Sequence, residues 1–481
     1  MSTEPEAHPA PPADGIGRID WITAGLVVVF VARRLWATLG RPIVIFPDSA
    51  SYFELRLWGG VRFPVVTTLY SVIGDHRAIV TVQAMFAAGC WAAAAVIGGS
   101  IIRGRAPRIG FQAGVLLLGL TTPVMVYDNA LLSESVSISL VVLLTALALR
   151  LMCRVTRGNA IAVAVVGACW AMSRQSNAMV ILVVAIGLAA LAVGAHLSVK
   201  QTESRAESRA DGPTESSTSS RSSAGALAGA LAIGFGALGI LGLALASSNR
   251  QIEEYNTAQI LVSRILTDDD RAAWFEGQGM PRTGPDIVAG ASGDQAVALQ
   301  HDPAFGRWLA DEGPSTYLRY LVSHPGDAVT IPFTGGAALR AVLMGTTYYG
   351  NARQALPDAL ETFFWPQSDD ERSTVVLVVV TVLAIVVGVA LADPSRRRGA
   401  VAGFVILLVC GVNLVLVTYA AAWEYERLLV GSGVAARVAV MWLVASTLGG
   451  IVRVGEGVGP AREPAGPVDT DPAEVDVEAR R

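Results

Sequence analysis

The chain has 481 residues, of which 52% are hydrophobic and only 16% charged, with a formal net charge of −4. A soluble domain carries about 25% charged residues. Several apolar runs here approach the roughly 20 residues that a helix needs to cross a bilayer. Composition therefore excludes an ordinary soluble domain and points to an all-α polytopic membrane protein, with nothing basic enough to suggest nucleic acid as a partner.

Lys200 is the only lysine. Arginine carries nearly all the basic charge, and Ala, Val and Gly dominate the spans, a bias expected of a high-GC bacterial genome. Cys90, Cys153, Cys169 and Cys410 lie in or beside apolar runs. Their spacing suits neither a disulfide framework nor a zinc site, so they read as small hydrophobes.

In chain order, residues 1–20 form a polar cytoplasmic tail without the basic start and small-residue cleavage site of a signal peptide, so the first span reads as an uncleaved anchor. About ten spans are expected, near 21–40, 77–101, 110–127, 136–152, 160–173, 178–196, 225–247, 374–392, 400–421 and 433–452. The first six make an N-terminal module over 21–196. Arg103, Arg105, Arg108, Arg154, Arg157, Lys200, Arg205, Arg396, Arg397, Arg398 and Arg453 then share one side. The positive-inside rule makes that side cytoplasmic in a bacterial plasma membrane. Arg33 and Arg34 interrupt the outer part of the first span. Two readings fit cations at that depth: snorkelling to lipid phosphates, or binding the phosphate of a lipid-linked substrate.

Residues 197–224 are rich in Ser, Thr, Glu, Arg and Gly and read as a disordered cytoplasmic linker. A span at 225–247 leads to a mainly helical extracytoplasmic domain over 248–373. There Phe305, Trp308 and Leu309, and again Tyr317, Tyr320 and Leu321, recur at helical spacing and read as its core. His324 reads as a helix stop. Ala328 to Met344 is apolar but broken by Pro332, Gly335 and Gly336, as in a re-entrant or interfacial segment. Residues 374–452 hold the last spans, and 453–481 a disordered cytoplasmic tail.

Two acidic turns stand out. The first is Phe46-Pro47-Asp48-Ser49-Ala50-Ser51-Tyr52-Phe53-Glu54, and the second is Asn129-Ala130-Leu131-Leu132-Ser133-Glu134-Ser135. Carboxylates beside a bilayer are costly and mark candidate functional sites. Asp48 reads either as a helix N-cap or as a general base whose proton affinity is raised by burial. Tyr52, one turn on, is expected to face the same way. Glu134 reads as an anion placed at a helix N-terminus or as a residue that orients the acceptor, binds a metal ion or assists the base. Asp128 and Asn129 add oxygen ligands without the spacing of a dedicated metal site. Arg62, Arg174 and Arg427 fall on outer turns, against the charge trend. Guanidinium groups there can hold phosphate bidentately or form surface ion pairs. Neither a Gly-x-Ser-x-Gly elbow nor a phosphate-binding Gly-rich loop is present, and a Rossmann fingerprint is also missing, so hydrolase, ATPase and nicotinamide readings lack support.

On those two turns and the order of spans, outer domain and further spans, the chain resembles the glycosyltransferase C superfamily, in its protein mannosyltransferase-like bacterial membrane branch. The resemblance implies a polytopic enzyme that takes a sugar from a polyprenyl-phosphate donor to a glycan, glycolipid or protein acceptor on the outer face. By resemblance Asp48 is the base, Glu134 positions the acceptor or the base, and Arg174 holds the donor phosphate. Arg33, Arg34, Arg62, Arg427 and Tyr52 complete the expected substrate-binding set. No nucleotide or organic cofactor is implied, and a divalent cation is left open. The first turn departs from branches with paired acids, since Glu54 is the acid nearest Asp48. The competing readings are a lipid or glycolipid transporter, which should show related halves and broken or charged helices near the midplane, and a non-catalytic envelope scaffold.

Overall fold

A computed structural model describes residues 20–46, 48–55, 62–207, 215–247, 250–282, 293–330, 337–345, 350–366, 394–421, 425–449 and 451. Among them all regular structure is helical apart from two isolated β-bridges. The front half holds α1 (Trp21–Thr38), α2 (Pro64–Ile73), α3 (His76–Gly99), α4 (Arg105–Gly119), α5 (Thr122–Met125), α6 (Glu134–Cys153), α7 (Arg157–Ala171), α8 (Gln175–Glu207) and α9 (Glu215–Ser247). A helical unit follows with α10 (Arg250–Ile260), α11 (Asp269–Gly277), α12 (Gly293–His301), α13 (Pro303–Asp311), α14 (Gly313–Ser323) and α15 (Pro325–Thr330). Then come α16 (Ala337–Met344), α17 (Asp358–Phe364), α18 (Pro394–Ala420) and α19 (Tyr425–Gly449).

Seven helices among the described residues are long and apolar enough to cross a membrane. Of the ten expected spans, seven correspond to these helices and three do not, and the bent pair Arg105–Gly119 with Thr122–Asn129 makes an eighth if counted as one span. The span near 374–392 lies outside the described residues, as do the tails over 1–19 and 453–481. The span near 160–173 is α7, only 15 residues long. The span near 110–127 is broken, with a 59° bend between Arg105–Gly119 and Thr122–Asn129. Pro123 sits in the first turn of α5, where its missing N–H costs nothing and its ring stops the chain from continuing α4. Part of the expected linker is also helical, because α8 runs on to Glu207 and α9 begins at Glu215. Extending an existing helix through Lys, Gln, Glu, Arg and Ala needs no new nucleus.

Backbone groups exposed by the α4–α5 break need partners inside an apolar bundle. Glu361 of α17 supplies them. Its carboxylate accepts from the Thr122 amide at 3.0 and 3.1 Å and from the Thr122 hydroxyl at 2.9 Å. Trp365 Nε1 donates to Thr121 Oγ1 at 3.0 Å. Burial raises the Glu361 carboxyl above the ordinary glutamate range, against the lowering effect of the Thr122 bonds. A carboxyl with a raised folded-state pKa adds stability that is fully present below the ordinary glutamate range and is lost as pH rises through the raised value. Glu361→Gln, which keeps one acceptor oxygen, should flatten that pH dependence when thermal unfolding in detergent is followed from acid to neutral pH.

The arginine-bearing turns gather at one end of the bundle. Asp20 caps α1 by accepting from the Thr23 amide at 2.8 Å and pairs with Arg108 at 2.8 Å. Ile102 and Ile451 form an antiparallel bridge. Gly399, beside Arg398, packs so closely that a Cβ there would lie 2.4 Å from Ile451. Arg398 is also within electrostatic reach of Cys153, the last residue of α6. The 20 residues of α6 rise about 1.5 Å each, which puts Glu134 about 30 Å away at the opposite end.

The helical unit has its own core, in which Phe275, Phe305, Trp308, Leu309, Tyr317 and Tyr320 are buried together with Leu321 at the edge. His324 ends α14 and stacks on Tyr320 with ring centroids 4.3 Å apart. Within the broken apolar stretch 328–344, residues 331–336 lie outside the described set, and α16 is an eight-residue helix, far too short to span. Arg437 of α19 holds its end, donating to the Val342 carbonyl at 2.9 Å and lying 3.7 Å over the Trp365 ring.

Candidate functional site

The two acidic turns, more than 80 residues apart in sequence, are joined through their backbones. The Val44 amide donates to the Asn129 carbonyl and the Leu131 amide to the Val44 carbonyl, both at 3.0 Å, around a parallel Val44–Ala130 bridge. Asn129 Nδ2 donates to the Pro42 carbonyl at 2.6 Å. Ser49 Oγ donates to the Leu131 carbonyl at 2.9 Å. Tyr70 of α2 reaches the Leu132 carbonyl at 2.9 Å, and Tyr52 OH reaches Ser133 Oγ at 3.2 Å.

The Asp48 carboxylate sits at the start of the short 3₁₀ turn Ser49–Phe53 and makes no capping hydrogen bond. The N-cap reading therefore does not describe its side chain. Its Oδ2 instead meets Arg62 at 2.7 Å and Arg427 at 3.2 Å. Glu134 opens α6, and its Oε1 meets Arg427 at 2.7 Å and Arg174 at 3.3 Å. Arg427 thus bridges the two carboxylates. Arg62 also lies 4.6 Å over the Tyr52 ring and donates to Ser51 Oγ at 2.8 Å. Burial, followed by the charge of Glu134, holds the Tyr52 phenol above its usual range, so it stays a neutral donor.

Asp48, Tyr52, Arg62, Glu134, Arg174 and Arg427 consequently form one connected cluster of three guanidiniums and two carboxylates. Among the described residues the excess of one positive charge suits an anionic ligand. The cluster opens on one side: the Glu134 side chain is 0% exposed while Asp48 is 26% exposed. Both arginines meet Asp48 through its Oδ2. Among the described residues Glu134 Oε2 is buried without a hydrogen-bond partner. Residues 56–61, Trp423 and Glu424, which flank this opening in sequence, lie outside the described residues.

Arg33 and Arg34 do not join the cluster. Arg34 does not snorkel to lipid, because its side chain points into the bundle. It forms a forked pair with Asp128 at 2.8 and 3.1 Å and donates to the Gly119 carbonyl at 2.6 Å. Asp128 also accepts from Ser135 Oγ at 2.7 Å. Its oxygens are thereby occupied, which removes it as a ready metal ligand. Among the described residues no three His, Cys, Asp or Glu side chains gather to hold a metal ion. Arg33 turns the other way, donating to the Ala355 carbonyl at 2.7 Å.

Sequence reading missed the polar support behind the cluster. Tyr70 and Gln83 are hydrogen-bonded to each other, and Gln83 Nε2 donates to the Ala130 carbonyl at 3.2 Å. Asn177 of α8 ties Ser137 at 2.9 Å to Ser173 at 3.0 Å. A lone Gln inside the apolar helix α3 was the available signal, since a buried amide requires partners. Comparison with family models, with curated proteins and with solved structures finds no match.

Proposed function

We propose that the chain is a membrane glycosyltransferase that moves a sugar from a polyprenyl-phosphate donor to an envelope glycan, glycolipid or protein acceptor, with inversion at the anomeric carbon. The observation that carries this reading is the arginine-bridged carboxylate pair Asp48–Arg427–Glu134 at the end of the bundle away from the arginine-rich turns. By the positive-inside rule that end is extracytoplasmic, where a lipid-linked donor can serve without a nucleotide.

In this mechanism the Asp48 carboxylate takes the proton of an acceptor hydroxyl. The oxygen forms a bond to the anomeric carbon from the face opposite the phosphate, and the carbon–oxygen bond to phosphate breaks. The departing polyprenyl phosphate keeps that electron pair, and the guanidiniums of Arg62 and Arg427, at the open side, balance its charge. Arg174, whose expected role was the donor phosphate itself, acts through Glu134. Glu134 holds Arg427 and Arg174 in place and contributes no proton.

Glu134→Gln tests this division of labour. Asked to fix two guanidiniums without a charge, the amide should reduce transfer by membranes supplied with a polyprenyl-phosphate sugar by about tenfold or more, the scale of a lost charged hydrogen bond. Unchanged transfer would remove Glu134 from the site.

A second reading, a lipid or glycolipid transporter, is favoured by one observation. The α4–α5 break with the buried Arg34–Asp128 pair beside it is the kind of interrupted, charged helix that transporters place near the midplane.

A further inference from the structure

The end of the outward face of α1 brings together two cations that the acid cluster does not use, its own Arg33 and Arg353 from outside the helix. Trp21, Val28, Val29, Arg33 and Trp36 fall on one stripe of this helix, at the spacing that puts residues on a common face. Trp21 is 77% and Trp36 48% exposed, and Val28 and Val29 between them are open as well. Fifteen residues separate the two tryptophans, about 22 Å along the axis. Aromatic rings flanking an exposed aliphatic stripe are the signature of a lipid-facing helix.

At the Trp36 end the chain returns from residue 350 and seals the helix: the Arg353 amide donates to the Ala37 carbonyl at 2.9 Å. Arg33 and Arg353 then flank the same indole, 4.6 and 5.2 Å from its centroid. Arg33 and Asp358 line a cleft of about 510 Å³. Asp358 Oδ1 accepts from Gln354 Nε2 at 2.6 Å. Among the described residues neither arginine is ion-paired, so two guanidiniums stand at headgroup level without a counterion.

We infer that Arg33, Trp36 and Arg353 form a binding site for the phosphodiester of an anionic glycerophospholipid of the bilayer itself, with its acyl chains along Val29 and Val28. Charge complementarity and the lipid-facing stripe select this occupant. Neither Asp48 nor Glu134 contacts Arg33 or Arg353 among the described residues, so the site is separate from the acid cluster and does not depend on the transferase reading.

The purified full chain in neutral detergent tests the assignment, with bound lipid counted by native mass spectrometry during titration with phosphatidylglycerol, phosphatidylcholine or polyprenyl phosphate. Wild type should bind phosphatidylglycerol in preference to phosphatidylcholine. Each Arg→Gln change should weaken phosphatidylglycerol binding about fivefold, and R33Q/R353Q about 25-fold, the loss expected for one and two basic side chains at an anionic surface. R33K/R353K should keep most of it. Should the double variant fail to fold, R33Q alone still gives the fivefold readout. Equal phosphatidylglycerol binding by wild type and R33Q overturns the site. Dependence on these arginines for polyprenyl phosphate but not for phosphatidylglycerol overturns it too, making the stripe a donor track.

Discussion

Asp48→Asn should lower the rate constant for sugar transfer by about 10²–10⁴-fold, the range associated with loss of a positioned general base. Asparagine has nearly the same shape and keeps an oxygen for Arg62 and Arg427, which now meet Asp48 at 2.7 and 3.2 Å. The cluster should therefore stay assembled. Removing one of its two negative charges leaves more uncompensated positive charge at the mouth. The phosphate of the donor should consequently bind as well as in wild type or more tightly. The expected signature is a fall in kcat with KM unchanged or reduced, measured with a polyprenyl-phosphate sugar in detergent. A rise in KM with kcat intact would assign Asp48 to holding substrate and would leave the base unidentified. Asp48→Glu, one methylene longer, should recover only part of the activity, because the proton-accepting oxygen is displaced by about an ångström or more.

The second large effect concerns stability. Arg34 and Asp128 are each 1% exposed, and they meet inside the bundle through a forked pair whose geometry leaves little room for water. Asp128→Ala would leave the Arg34 guanidinium buried, with the Gly119 carbonyl at 2.6 Å as its remaining partner. Breaking a buried pair from one side costs about 3–5 kcal/mol, enough to lower thermal stability and the yield of folded protein in the membrane. Replacing both, as Arg34→Met with Asp128→Leu, removes the uncompensated charge and should restore most of the loss, since apolar pairs of similar volume often match a buried ion pair. Ser135 would lose its acceptor, so full recovery is not expected. A double variant as unstable as Asp128→Ala would mean that the pair is needed for the shape of the 128–134 turn itself. Transfer activity of a stable double variant then reports how far that turn fixes Glu134.

Which residues interrupt apolar helices was legible from sequence, while the direction each one faces was not. Asp48 and Glu134 stood out because carboxylates interrupt apolar runs, and their separation along the chain gave no sign that the Val44–Ala130 bridge would join their turns. That bridge is made by backbone groups, which any residue carries. Arg33 and Arg34 looked alike in sequence, yet successive helical residues differ by about 100° around the axis. One consequently lies exposed on the outside of the bundle and the other faces Asp128. Hydropathy also counted an unbroken span near 110–127, because Gly119 to Pro123 are apolar enough to pass while their backbone cannot continue the helix. The aromatic repeats of 305–321 are legible as a core, since helical spacing and burial follow from the same periodicity. Convergence of Arg62, Arg174 and Arg427 needed three different elements to meet, which no local pattern encodes.

The central claim is that the arginine-bridged carboxylates break the bond between sugar and polyprenyl phosphate. It is tested most directly with the purified chain in liposomes loaded with a polyprenyl-phosphate sugar and supplied with an acceptor glycan. Polyprenyl phosphate and glycosylated acceptor should accumulate in a one-to-one ratio, with the new linkage inverted relative to the donor. Movement of intact donor between leaflets, with no polyprenyl phosphate released, would contradict the claim and establish the transporter in its place.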